Sequence, residues 1–158
     1  MDQNNLRGAI NKSLPKTKWL PQWGFDRIKK MIEGRPDWCI SRQRFWGVPI
    51  PLFIHKETNE LHKKTLLFLE RAANIIEKEG IEGWFEFDKN KLIGEDSKSY
   101  RLVTDTLDVW FDSGVSHISV MQQRGLGDTA DLYLEGSDQH RGWFQSSLIT
   151  ALATIKKP

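Results

Sequence analysis

The chain has 158 residues, of which 39% are hydrophobic and 28% charged, a balance that supplies one ordinary core and excludes intrinsic disorder. No run approaches the ~18 apolar residues of a membrane span, the polar N-terminus is no secretory signal, and a single cysteine, Cys39, excludes an internal disulfide or a multi-cysteine zinc site. The formal charge is +2, yet residues 1–44 hold ten Lys/Arg against four Asp/Glu, which fits either a polyanionic partner such as RNA or the solvated face of helices.

Residues 1–19 are polar and basic and read as a loosely anchored lead-in. Pro21 suits a first helical position, Phe25, Ile28 and Ile32 recur on one helix face, and Gly34 caps the end before Pro36. The stretch 38–54 reads as extended, because Gly47, Pro49 and Pro51 break helical periodicity while permitting an edge strand or loop. A second amphipathic helix is expected from Thr65 to Lys78, with Leu66, Leu69, Ala73 and Ile76 inward and Gly80 at its end. Aromatics alternating with charges over 81–99 suggest a hairpin, and 101–112 a β-prone segment closing on the Asp112-Ser113-Gly114 turn. Leu132-Tyr133-Leu134 reads as a short buried strand. The tight Glu135-Gly136-Ser137-Asp138 follows it, and then a helix with Phe144, Leu148, Leu152 and Ile155 inward. Strand, glycine-bearing loop and helix form half of a βαβ unit, so the expected class is an open α/β sheet.

In such sheets ligands bind beyond the carboxyl ends of the strands. That rule puts Glu135, Gly136, Ser137, Asp138 and Gln139 at a mouth. Gly136 admits a ligand close to the backbone, the helix N-terminus offers unpaired N–H groups, and two carboxylates suit ribose hydroxyls or an ammonium rather than phosphate. Ser137 or Asp138 can equally serve only to cap the helix. Of seven tryptophans, Trp110 and Trp143 sit where they could wall a pocket at the sheet edge, although core packing explains most tryptophans. His55, His62, His117 and His140 show no metal spacing. Asp105, Asp108 and Asp112 fall in a strand-like segment and do not converge on a Mg²⁺ ion. Neither a nucleophile elbow nor a phosphate-cradling glycine loop occurs.

Three strings carry more. RPDWCISRQRFWGVPIP at 35–51, DTLDVWFDSG at 105–114 and YLEGSDQHRGWFQSSL at 133–148 closely resemble the isoleucyl-tRNA synthetases of bacterial or organellar type. The resemblance is strongest over 35–54 and 103–148 and extends weakly through the rest. It implies a class I synthetase with a Rossmann-type catalytic domain. Isoleucine and ATP (with Mg²⁺) would condense to isoleucyl-adenylate, whose acyl group would pass to tRNA(Ile). The expected fold is then the second half of a Rossmann-type parallel sheet with an inserted α+β connective region. The parts are a lead-in and helix at 1–34, a joining strand segment at 35–54, the insertion at 55–99, and the half-sheet at 100–158.

The resemblance further implies that Glu135, Gly136 and Asp138 bind the adenylate, chiefly its ribose, and that Gln139 holds its amino-acid end. Trp110 and Trp143 would flank the isoleucine side chain. Arg42 and Arg44 would lie near the tRNA end or a domain junction, a place that structural salt bridges explain as well. No residue of the segment is assigned a catalytic role or a metal. The family's two signature motifs, of the His-Ile-Gly-His and Lys-Met-Ser-Lys-Ser types, do not occur in residues 1–158. The expectation is therefore a cytoplasmic (or organellar-matrix) protein segment without adenylation activity by itself, its partner being the rest of the synthetase chain and no membrane. The alternative is a free-standing, non-catalytic module that binds tRNA or a protein.

Overall fold

A computed structural model describes every residue from Met1 to Pro158. The chain divides into two compact units, Met1–Ile40 with Asp108–Pro158, and Ser41–Leu107. No helix is long and apolar enough to cross a membrane.

The first unit is helical. Its elements are α1 (Leu6–Ser13), α2 (Trp23–Glu33), α5 (Val109–Gly114) and α6 (Trp143–Thr154), the intervening α3 and α4 belonging to the second unit. The sequence placed α2 well, since Ile28 and Ile32 are buried and Gly34 ends the helix. The lead-in is not loose. Ile10 and Leu14, one helical turn apart, join Ile28, Ile32, Ile149 and Leu152 in a single core. Arg7 on α1 then fastens the end of α2, its guanidinium donating to the carbonyls of Ile32, Glu33 (2.9 Å) and Arg35 (2.8 Å). Two of these carbonyls belong to the last residues of α2, where intrahelical partners run out, and the third lies just past its end.

Helix α6 turns a different face inward from the one its apolar residues suggest. Leu152 is buried as expected, but so are Gln145, Ser146 and Thr150. Thr150 Oγ1 donates to the Gly114 carbonyl (2.6 Å), so a polar contact joins α6 to α5. A hydrogen bond lets such a residue be buried without a desolvation penalty.

The second unit holds two short antiparallel ladders. One pairs β1 (Ser41–Arg42) with β4 (Thr106–Leu107), the other β2 (Phe53–His55) with β3 (Tyr100–Leu102). The extended reading of 38–54 thus yields two strands of two and three residues. Helix α3 (Thr65–Glu86) runs past its expected end: Gly80 interrupts it at φ 75°, which glycine adopts without steric cost, and the helix resumes. The segment 81–99 is consequently helical, with α4 (Asn90–Ile93) and a 3₁₀ turn, and forms no hairpin. Phe53, Phe68 and Ile93 make the core. Phe68 rather than Leu66 faces inward, Leu66 being 76% exposed.

The parallel sheet expected for this class is not among these elements. Leu132-Tyr133-Leu134 has no regular structure, and Leu132 and Leu134 are 73% and 81% exposed. A strand exists only through its hydrogen-bonded neighbours, and residues 1–158 place none beside it. The β-prone 101–112 also divides, giving β3, β4 and then α5, so Trp110 stands on a helix and not at a strand end.

Candidate functional site

The first unit contains six of the residues singled out above. Glu135 and Asp138 are exposed. Gly136 precedes a 3₁₀ turn, Ser137–His140, that leads towards α6. Asp138 and Gln139 are joined directly, Gln139 Nε2 donating to Asp138 Oδ2 at 3.1 Å. The other end of the same amide, Oε1, accepts the Trp143 backbone N–H at 2.9 Å. Gln139 therefore caps α6, satisfying one of the N–H groups a helix start leaves open. It also holds the Asp138 carboxylate in one orientation. Neither Ser137 nor Asp138 makes a side-chain cap to its own turn.

Trp110 and Trp143 meet at Gly142. A Cβ on Gly142 would stand 2.9 Å from Cη2 and Cζ3 of Trp110 and against Oε1 of Gln139. Only glycine lets the indole and the amide share that backbone. The Trp143 ring is fixed from both sides. Its Nε1 donates to the Ser113 carbonyl (3.0 Å) and to Ser116 Oγ (3.3 Å), and its face stacks on Tyr133 at 3.6 Å with planes 4° apart.

The Tyr133–Trp143 pair borders a broad cavity of about 940 Å³ also lined by Trp19, Trp23, Glu135, Gly136 and His140, and a smaller one of about 410 Å³ lined by His117, Met121 and Ala151. Burial, and then the charge of Glu135, push the Tyr133 phenol up, so it stays protonated as a donor. His140 is buried, its Nδ1 2.8 Å from the Ser137 carbonyl, which identifies Nδ1 as the protonated nitrogen.

Trp110 is set by what precedes it. Asp108, 5% exposed, N-caps α5: Oδ1 accepts the Trp110 N–H (3.2 Å) and Oδ2 the Trp38 indole N–H (2.9 Å). The Arg35 guanidinium lies 5.3 Å from the centroid of the Trp38 ring, a cation–π distance. Burial pulls Arg35 down from its ordinary value while the charge of Asp108 opposes that fall. A buried aspartate immediately before a helix was the sequence signal for this cap, hidden because the segment reads as a strand.

Arg42 and Arg44 belong to the second unit. Arg42 lies on β1, its Nη1 donating to the Ser41 carbonyl at 2.8 Å, and Arg44 is exposed in the loop beyond. Nowhere do three His, Cys, Asp or Glu side chains gather as metal ligands. The first unit thus brings together two solvent-facing carboxylates, an amide that orients one of them, and two indoles on adjoining backbones.

A family model described as class I tRNA synthetases (I, L, M and V) matches residues 1–158. The chain is 58% identical over 154 residues to an isoleucine–tRNA ligase of Legionella pneumophila (strain Corby), and 58% identical over 155 residues to one of Vibrio campbellii. It is 58% identical over 158 residues to a further isoleucine–tRNA ligase, of Vesicomyosocius okutanii. These alignments take in 97–99% of this chain but 16% of each relative, so the chain spans about a sixth of their length.

Proposed function

Because the chain belongs to the class I tRNA synthetases of the isoleucine, leucine, methionine and valine group, we propose that it is the part of an isoleucine–tRNA ligase that holds isoleucyl-adenylate. The complete protein would join isoleucine to ATP with release of pyrophosphate, then pass the isoleucyl group to the 3′ end of tRNA(Ile). Glu135 and Asp138 accept hydrogen bonds from the ribose hydroxyls, Gly136 allows the sugar close approach, and Gln139 orients Asp138 and the amino-acid end. Trp110 and Trp143 flank the aliphatic side chain, which gains from burial against two flat apolar faces. Arg42 and Arg44 lie near the tRNA end or at a domain junction. Magnesium arrives with ATP as part of the substrate, and this chain contributes no ligand set for it.

The observation that carries this reading is the meeting of Trp110, Gln139 and Trp143 on Gly142, in a chain 58% identical to isoleucine–tRNA ligases along nearly its whole length. The exposure of Leu132 and Leu134 supports a second part of it. With the remaining chain present, 132–134 becomes a strand of a Rossmann-type parallel sheet, and 55–99 is a connective insertion on that domain. The protein then works in the cytoplasm, where tRNA is charged.

The test uses the full-length ligase and a non-reactive analogue of isoleucyl-adenylate, with affinity read by calorimetry. Glu135→Ala should weaken binding by about 1–3 kcal/mol, the loss expected for a hydrogen bond to a charged acceptor. An unchanged affinity removes Glu135 from the site. The isolated chain should give no ATP–pyrophosphate exchange above background.

A further inference from the structure

We propose that Asp108 and Trp38 are positioning residues for the side-chain pocket: hydrogen-bonded to each other, they fix Trp110 on Gly142 and so set where one wall of the pocket stands. This rests on the reading of Trp110 as an isoleucine-facing wall.

Trp110 is 43% exposed as a residue, and its indole makes none of the hydrogen bonds that anchor Trp143. Its place follows from its backbone. That backbone belongs to α5, a helix of six residues in which the first turn is most of the element. A short helix gains little from its own hydrogen bonds, so its conformation depends on external contacts. Asp108 supplies them with both carboxylate oxygens. One accepts the Trp110 N–H at 3.2 Å; the other accepts the indole N–H of Trp38 at 2.9 Å, from a residue 70 positions earlier. The Asp108 N–H donates to the Ile40 carbonyl at 2.7 Å, which ties the capping residue to the same segment as Trp38.

The Arg35 cation covers the face of Trp38, and the Trp38 ring packs against Phe111 of α5 at 6.1 Å between centroids, a second tie between the two segments. The carboxylate thus bridges the Trp38 indole and the first turn of α5. Hydrogen bonds to a charged acceptor are stronger than neutral ones, and more so where water is excluded. The buried Asp108 therefore couples the Trp38 indole to the backbone of the exposed Trp110.

The experiment compares the full-length ligase with its Trp38→Phe, Asp108→Asn and Trp110→Ala variants in ATP–pyrophosphate exchange, titrating isoleucine and ATP separately. Trp38→Phe keeps the aromatic body and removes the N–H. It should raise KM for isoleucine about three- to tenfold, the scale of one net hydrogen bond, with KM for ATP within about twofold of the parent. Asp108→Asn should do at least as much, since Asp108 also caps Trp110 directly, and the double variant should fall short of the product of the two single effects, because the residues share the Asp108–Trp38 bond.

An isoleucine KM unchanged in both single variants overturns the proposal, as does an equal rise of both KM values, which is what a merely structural role produces. If either variant fails to fold, the other decides. Trp110→Ala separates the levels. Should it leave the isoleucine KM unchanged, the pocket reading itself fails; should it alone raise that KM, only the positioning role fails.

Discussion

The ring of Trp110 lies so close to the backbone of Gly142 that a methyl group there would come within 2.9 Å of two ring carbons. Ordinary carbon contacts need about 3.5–4.0 Å, so ring and methyl cannot coexist without movement. Gly142→Ala should therefore displace Trp110 and push Gln139 off the Trp143 N–H together. Overpacking of this kind costs about 1–3 kcal/mol. Urea denaturation of the chain checks the stability loss. In the full-length ligase the isoleucine KM should rise more than the ATP KM.

Arg7 holds the end of α2 through Nη1, which donates to the Ile32 and Glu33 carbonyls, and Nη2, which donates to that of Arg35. A lysine carries the same charge on a single tetrahedral head and cannot reproduce that planar fork. Arg7→Ala should lower the urea midpoint, and Arg7→Lys should recover less than half of the loss. Full recovery by lysine would mean that charge near the helix end, and not the fork, is what matters.

Burial, and then the charge of Asp108, hold the Asp112 carboxyl above its usual range. Between the unfolded and the raised folded value, the folded chain binds more protons than the unfolded one. Stability therefore falls as pH rises through the carboxylate range, and the ionised Asp112 is a net cost at neutral pH. Asp112→Asn should raise the urea midpoint at pH 7, and the gain should shrink as pH falls below that range. A gain that is independent of pH would point to packing instead.

The second unit relies on a core of three buried residues, of which Phe68 is the most enclosed, meeting Phe53 edge-on at 5.1 Å. Phe68→Ala should cost about 3–5 kcal/mol, a large share of the stability of any domain. Hydrogen exchange provides the readout. Amide protection over Phe53–His55 and Tyr100–Leu102 should be lost, because that ladder packs directly on the missing ring.

Helix α2 was legible because a strong 3.6-residue periodicity, an ending glycine and a following proline all agree over Trp23–Glu33. Helix α1 carried the same signal in Leu6, Ile10 and Leu14 at four-residue spacing, but polar neighbours masked it. The inward face of α6 was legible only in part, at Leu148 and Leu152. Ser146 and Thr150 are buried through tertiary contacts with α5, and hydrophobic patterning is blind to polar residues whose partner lies elsewhere in the chain.

The site divides the same way. The turn before α6 was expected at Glu135–Asp138 from its glycine and acids, and it forms two residues later, at Ser137–His140, with Gly136 before it. The contacts that organise it were not visible: Gln139 bridging to Trp143, the stacking of Tyr133, and the Asp108 cap beneath Trp110. Asp108 was weighed as one member of an acidic series, because a strand assignment for 101–112 leaves no helix for it to cap. One wrong element type thus removed the residue's meaning.

The bare triplet Leu132-Tyr133-Leu134 has a consequence for handling the molecule. Two large aliphatic side chains stand in solvent beside each other with no ladder to occupy their backbone, the composition that seeds intermolecular β-aggregation. Asp131 and Glu135 bracket it as gatekeepers, like charges that repel a second copy of the same segment. Replacing Asp131 and Glu135 with Asn and Gln should hence make the chain more prone to self-association at neutral pH.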